Sequence, residues 1–194
     1  MVRNSDQEVW YVAYGSNLLT ARILAYLEGS TEDSLWGKHR GAKDPTFPRD
    51  AQKIEVPYPI RFGGYSQRWK GGVAWCPHKV LSGKEIAPIG RAWRITRGQL
   101  ADIVAQENRK ETKEISIPDN FPKPGEAFKT NDGLIDLLIS LDQIVGVPAV
   151  TLGSSSPPPP GPPSPSYRAV LVAGMSEMGL TSAEIMEYLS VLET

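Results

Sequence analysis

An α+β domain is expected from three features of the chain. Branched and aromatic residues run from Val9 to Tyr14, then pass through Gly15-Ser16-Asn17 directly into a helical pattern. Further β-like runs follow at Val56 to Phe62, Trp69 to Cys76, Ile86 to Ile95, Leu134 to Val145 and Pro148 to Leu152. Two later stretches, opening near Thr96 and Thr181, place apolar residues at helical spacing.

A chain of 194 residues is long enough to bury a sizeable core as one domain, residues 1–194, with long loops at about 30–55 and 153–166. Its formal net charge of −1 gives no electrostatic reason to expect nucleic acid or an anionic membrane as partner. The lone cysteine, Cys76, excludes an internal disulfide and favours a reducing compartment. No apolar stretch approaches the roughly 20 residues that cross a bilayer. Residues 1–8 are polar and acidic, unlike a secretory signal. A cytoplasmic, single-domain protein is the expectation.

In chain order, residues 17–28 read as a first helix, with Leu19, Ile23, Tyr26 and Leu27 near one face and Gly29 as its stop. Residues 30–55 lack periodicity and read as a surface loop. Pro57 and Pro59 push the next strand toward a sheet edge, and Gly63-Gly64 reads as a turn. Gly71-Gly72 suggests a bulge or a place where backbone approaches a ligand. Ile86 to Ile95 is the next strand, and Thr96 to Gln99 opens the second helix. Residues 111–133 read as a short strand followed by a loop. Leu134 to Val145 fits both periods; a strand paired with Pro148 to Leu152 is preferred. The proline-rich run 153–166 reads as an extended linker, and Tyr167 to Ala173 as a strand. Thr181 and Glu184 form a capping box for a last helix carrying Ile185, Tyr188, Leu189 and Leu192.

Two places carry chemistry. Where the first strand stops at Gly15, the first turn of the following helix leaves N–H groups without internal acceptors. Capped by Ser16 or Asn17 and backed by the helix dipole, such a corner can cradle a carboxylate or phosphate; an ordinary strand-to-helix turn has the same local pattern. In the second helix, Leu100, Ile103 and Val104 define an apolar stripe, and Glu107 follows seven residues after Leu100 on that stripe. Asp102 projects elsewhere, toward solvent. A carboxylate on an apolar face is desolvated, which raises its pKa and suits it to general base chemistry. If the helix ends before Glu107, the carboxylate instead lies in water.

The string Tyr14-Gly15-Ser16-Asn17-Leu18 resembles the signature of the γ-glutamylcyclotransferase-like family. Trp69-Lys70-Gly71-Gly72-Val73-Ala74 is similar to that family's Trp-X-Gly-Gly-(Ile/Val)-Ala strand, and Gln106-Glu107 to its Gln-Glu-Gly. Pro163-Ser164-Pro165-Ser166-Tyr167, with Gly174 and Gly179-Leu180 beyond, resembles its Ser-Pro-X-Tyr segment. The matches run in the family's order and span most of the chain. Asn108 departs from the family's Gly, and both long loops are additions. The resemblance implies a small mixed β-barrel flanked by helices. It also implies release of 5-oxoproline from a γ-glutamyl compound, with Glu107 as acid/base. Tyr14, Gly15, Ser16, Asn17, Leu18 and Tyr167 would bind substrate, and no metal or organic cofactor is required.

Rival readings are weaker. His39, His78 and Cys76 offer no metal-ligand spacing, and Cys76-Pro77-His78 is a poor nucleophile pair because sequence neighbours seldom meet in catalysis. The Gly15 turn lacks the Gly-Lys-Ser/Thr of a phosphate loop. Two alternatives from other classes stand beside the enzyme: a non-catalytic binder of small carboxylates, and a recruiter using its proline-rich run as a ligand.

Overall fold

The structure, a computed structural model, describes residues 4–79, 81 and 86–192. Met1 to Arg3, the start of the polar opening stretch, lie outside the described residues. At the centre is β1 (Glu8–Ala13), where Val9 through Ala13 are all buried. It pairs antiparallel with β5 (Ile89–Thr96) and parallel with β8 (Val147–Gly153). With β2 (Asp50–Glu55), β6 (Ala127–Lys129) and β7 (Leu137–Ile144) these form one mixed sheet in the order β2-β5-β1-β8-β7-β6. A strand covered on both faces needs a continuous apolar run, which Val9-Trp10-Tyr11-Val12-Ala13 supplies.

The expected barrel is not formed, because the sheet stays open with β2 and β6 as opposite edges. Charged, exposed residues along β2 suit an edge that resists further pairing. That strand also corrects the loop expected over 30–55, whose last six residues join the sheet. Main-chain bonding to β5, with Arg49 N–H donating to Arg94 at 2.8 Å, holds a segment without apolar alternation. Residues 111–133 run opposite to expectation, with a 3₁₀ turn at Thr112–Glu114 first and β6 afterwards. The β7–β8 hairpin is as expected; Val145 and Gly146, at φ 50° and 74°, make its two-residue turn.

A second, two-stranded sheet joins β3 (Arg61–Ser66) to β4 (Gly71–Trp75). The strand expected at Val56 to Phe62 therefore begins later. Pro57 and Pro59 lack the N–H groups a ladder needs, so Val56, Tyr58 and Ile60 pack as irregular chain against the main sheet. Gly63 and Gly64 lie within β3 at an irregularity, not in a turn. The proline-rich run is not a free linker. Its carbonyls accept from Gly64 N–H through Pro159 at 2.9 Å and from Gly72 N–H through Pro162 at 2.8 Å. Proline has no main-chain donor but keeps its acceptor, so this strap satisfies the hairpin's N–H groups. The close approach expected at Gly71-Gly72 is therefore to the strap.

Among the described residues, four α-helices cover the sheets. The first helix expected over 17–28 is divided: a 3₁₀ turn (Ser16–Leu18) precedes α1 (Thr20–Glu28), whose N-cap is Leu19 and not Ser16 or Asn17. Gly29, at φ 86°, ends it. Next, α2 (Arg97–Glu107) starts from a capping box of Thr96 and Gln99, and with α1 it buries one face of the sheet through Tyr11, Trp93, Ile103 and Leu152. The strand expected at Tyr167 to Ala173 is helical, in α3 (Pro165–Glu177). Ser164 caps it through Oγ, which accepts the Tyr167 N–H at 3.1 Å, and Pro165 opens the first turn. Tyr167, Val170, Leu171, Gly174 and Met175 then recur at helical spacing and are buried. The last helix, α4 (Ser182–Leu192), opens on the expected Thr181–Glu184 box. Replacing Ser164 by Ala is expected to cost about 1 kcal/mol, read as a lower denaturation midpoint. Among the described residues no helix is long and apolar enough to cross a membrane.

Candidate functional site

Where β1 ends, the Gly15–Asn17 corner opens onto a cavity of about 500 Å³. Its walls come from the corner, α1, the 38–40 segment, β4, the end of α2 and the first turn of α3. The stripe Leu100, Ile103 and Val104 is fully buried, and α2 runs on through Glu107, which is half-buried and faces the cavity. Its Oε1 accepts from Asn17 Nδ2 at 3.1 Å, and the same amide donates to Tyr11 Oη at 3.2 Å. The Asn17 side chain thus fixes the carboxylate, a task that corner main chain alone would not perform.

Tyr167 closes the other side. Its hydroxyl oxygen accepts the Ala74 N–H at 3.1 Å, and a Cβ at position 15 would lie 2.8 Å from that oxygen. Gly15 is required by this approach and not by its φ of −113°. Burial pushes the Tyr167 hydroxyl up to about 12 against the pull of the Ala74 N–H, so it keeps its proton. Burial first, and then the Glu107 charge, raise Tyr11 and Tyr26 as well. Tyr14 lines the cavity, but its hydroxyl is spent on the Leu152 carbonyl at 2.8 Å. Leu18 does not line it. Leu18 is in the core against Gly174, where a Cβ would sit 2.7 Å from its atoms, and its carbonyl accepts from Arg91.

The structure adds residues that the sequence reading did not assign. Arg22, only 1% exposed, lies on the buried face of α1. Its guanidinium donates to Tyr26 Oη and to His39 Nε2, both at 3.2 Å, and sits over the rings of Tyr26, Trp36 and Trp69. Arg68 Nη1 reaches the same His39 nitrogen at 2.9 Å. Gln106 Nε2 donates to the Tyr26 carbonyl at 2.9 Å. Arg22 falls three residues after Leu19, within the apolar stripe, so the reasoning applied to Glu107 would have found it. His39 and Arg68 come from segments without periodicity and gave no such signal.

Burial, then Arg22 and Arg68, hold His39 near 4, below its ordinary 6.5. Between those values the unfolded chain binds a proton that the folded chain does not, so stability falls as pH drops from about 6.5 toward 4 and levels below. Urea midpoints across this window should decline more steeply for the unmutated protein than for His39→Gln.

Asp102, expected in solvent, is buried at 5% exposure. It accepts from Lys43 N–H at 2.9 Å, from Thr112 Oγ1 and from Arg40, anchoring the 40–43 segment to α2. Burial pushes the Cys76 thiol up to about 12, while His78 is bonded to the Gly125 carbonyl, so the two do not form a reactive pair. Among the described residues no three His, Cys, Asp or Glu side chains are grouped to hold a metal ion.

Comparison with known proteins gives the same architecture. A solved γ-glutamyl cyclotransferase superposes with a TM-score of 0.57, over 95% of this chain and 88% of that one, at 18% identity. A crystal structure of an uncharacterized protein from Homo sapiens gives 0.57 over 95% and 88%, at 19% identity. The chain therefore has the γ-glutamyl cyclotransferase-like fold. No family model matches the sequence. Histone deacetylase 5 of Arabidopsis thaliana is 33% identical over 104 residues, which are 52% of this chain and 15% of that protein. The chain thus spans only a small part of the curated relative it matches.

Proposed function

We propose that this protein releases 5-oxoproline from a γ-glutamyl compound. The observation that carries the reading is the Glu107 carboxylate held 3.1 Å from Asn17 Nδ2, facing a cavity beside the Gly15 corner. The fold-wide likeness to a γ-glutamyl cyclotransferase supports it. The likeness to a histone deacetylase covers too little of that protein to favour another chemistry.

In the proposed reaction the substrate's α-amine attacks its own γ-carbonyl. A bond forms between the α-nitrogen and the γ-carbon, the amide bond to the departing nitrogen breaks, and a five-membered ring closes. An α-ammonium has a pKa near 8 and must first lose a proton. The ammonium gives up that proton to water. Glu107 then takes a second proton from the attacking nitrogen as the ring closes, leaving the ring N–H. It gives this proton to the leaving nitrogen, which departs as a free amine, so one residue is base and then acid. Positioned acid/base catalysis of this kind contributes about 10²- to 10⁴-fold. The cavity walls hold the chain folded, and such orientation is worth about 7–11 kcal/mol of the barrier.

The corner N–H groups of Gly15, Ser16 and Asn17 receive the α-carboxylate or the oxygen that becomes negative. The Tyr167 hydroxyl already accepts from Ala74, so its own proton is free to point into the cavity. Tyr14 contributes its ring as a wall.

Incubation with a panel of γ-glutamyl amino acids, peptides and amines, with 5-oxoproline detected by mass, tests the reading. Release from at least one class is expected. Tight binding without release from any would favour a carboxylate-binding protein of the same fold.

A further inference from the structure

Proline holds φ near about −65° and pushes the residue before it into extended backbone, so residues 156–164 favour polyproline II, with three residues per turn. The contacts of the strap keep that period. Pro158, Gly161 and Ser164 are the residues set against the glycines of the β3–β4 hairpin. A Cβ at Gly64 would lie 3.0 Å from Pro158 Cγ, one at Gly72 2.2 Å from the Gly161 oxygen, and one at Gly71 2.7 Å from the Ser164 nitrogen. The carbonyls that accept from the hairpin, those of Pro159 and Pro162, are also three apart. One ridge of the helix is thus spent inward. The other two, Pro157–Pro160–Pro163 and Pro159–Pro162, turn their rings outward; all are exposed except Pro163, which is half-buried. Both ends are tied, by the Ser155 N–H donating to Asp136 at 2.8 Å and by Ser164 as the cap of α3.

We infer that the strap is a docking ligand for a partner protein with a groove walled by Trp and Tyr rings, of the WW type. Such a groove grips a polyproline II helix along two ridges, with prolines three residues apart set between the rings, and leaves the third ridge outside. Pro157 with Pro160, and Pro159 with Pro162, supply the two ridges, and the hairpin covers only the third. Charge selects among proline readers. From Ser154 to Ser166 the run holds only Ser, Pro and Gly, so it offers no cation to the acidic loop of an SH3-type reader and no aromatic ring to an EVH1-type reader. A groove that reads proline rings alone is the match. The tied ends hold the run in its bound shape beforehand, which removes an ordering cost that a free peptide meets on binding. This inference goes beyond the cyclisation proposed above and stands apart from it.

The test titrates the full chain, by calorimetry, with a panel of isolated WW domains that bind uncharged polyproline, and with an SH3 domain as the comparison. A synthetic peptide of residues 154–166 is titrated in parallel. At least one WW domain should bind the chain, about 2- to 10-fold more tightly than it binds the peptide. Pro160→Ala combined with Pro162→Ala removes one ring from each outward ridge but keeps both carbonyls, including the one that accepts from Gly72. This variant should stay folded, with a thermal midpoint only a few degrees lower, and should bind at least about tenfold more weakly. Four results would each overturn the inference: no binding by any WW domain, binding to the peptide but not to the chain, tighter binding by the SH3 domain, or an affinity untouched by the double substitution. None of these readouts uses 5-oxoproline release, so the strap and the cyclisation fail or stand separately.

Discussion

Glu107→Gln is expected to lower 5-oxoproline release by about 10²- to 10⁴-fold while leaving the affinity for a γ-glutamyl ligand within a few-fold of the unmutated protein. Gln preserves the side chain's shape and keeps an oxygen that can accept from Asn17 Nδ2, but it cannot take a proton from an amine. The thermal midpoint should change little, because the carboxylate is half-buried and lies at the end of α2, beyond the stripe that packs the sheet. Side-by-side turnover and calorimetry measure the two effects. Activity that survives the substitution would assign proton transfer elsewhere; affinity lost with activity would make Glu107 a binding group only.

The largest stability effect is expected at Gly72. A Cβ there would lie 2.2 Å from the Gly161 carbonyl oxygen and 2.9 Å from its carbon, both main-chain atoms that cannot swing aside. Gly72→Ala therefore forces the proline-rich strap off the β3–β4 hairpin and breaks the 2.8 Å bond from Gly72 N–H to Pro162. Overpacking of this kind costs about 1–3 kcal/mol, and loss of the strap's acceptors places this case at the upper end. In a chain of this size that lowers the thermal midpoint by roughly 5–10 °C. Activity should fall with stability, since the strap leads directly into the α3 turn that carries Tyr167. A midpoint equal to the unmutated value would mean that the strap is not held as described.

How legible the molecule was depends on how local each signal is. The capping residues Thr96 and Gln99, followed by Leu100, Ile103 and Val104, defined both a helix and the side on which Glu107 stands, because cap and stripe lie within one short segment. Tyr14 through Leu18 located the corner, but the 3₁₀ turn moved the work to the Asn17 side chain and sent Leu18 into the core. The branched residues of Tyr167 to Ala173 fit a strand as well as a helix; Ser164 as cap and Pro165 at the first helical position decide for the helix. The β2 edge and the proline-rich strap are not legible in the sequence because main-chain hydrogen bonds hold them, and these leave no side-chain pattern. Segments 38–40 and 68–69 enter the cavity wall through tertiary packing around Arg22, which local periodicity cannot report.

The most direct measurement is a crystal structure of Glu107→Gln with unreacted γ-glutamylglycine bound. Its α-nitrogen should lie within about 3.2 Å of the side chain at position 107. One of its oxygens should meet the N–H groups of the Gly15 corner. A ligand seated elsewhere, or one whose α-nitrogen points away from position 107 while the corner stays empty, would contradict the account.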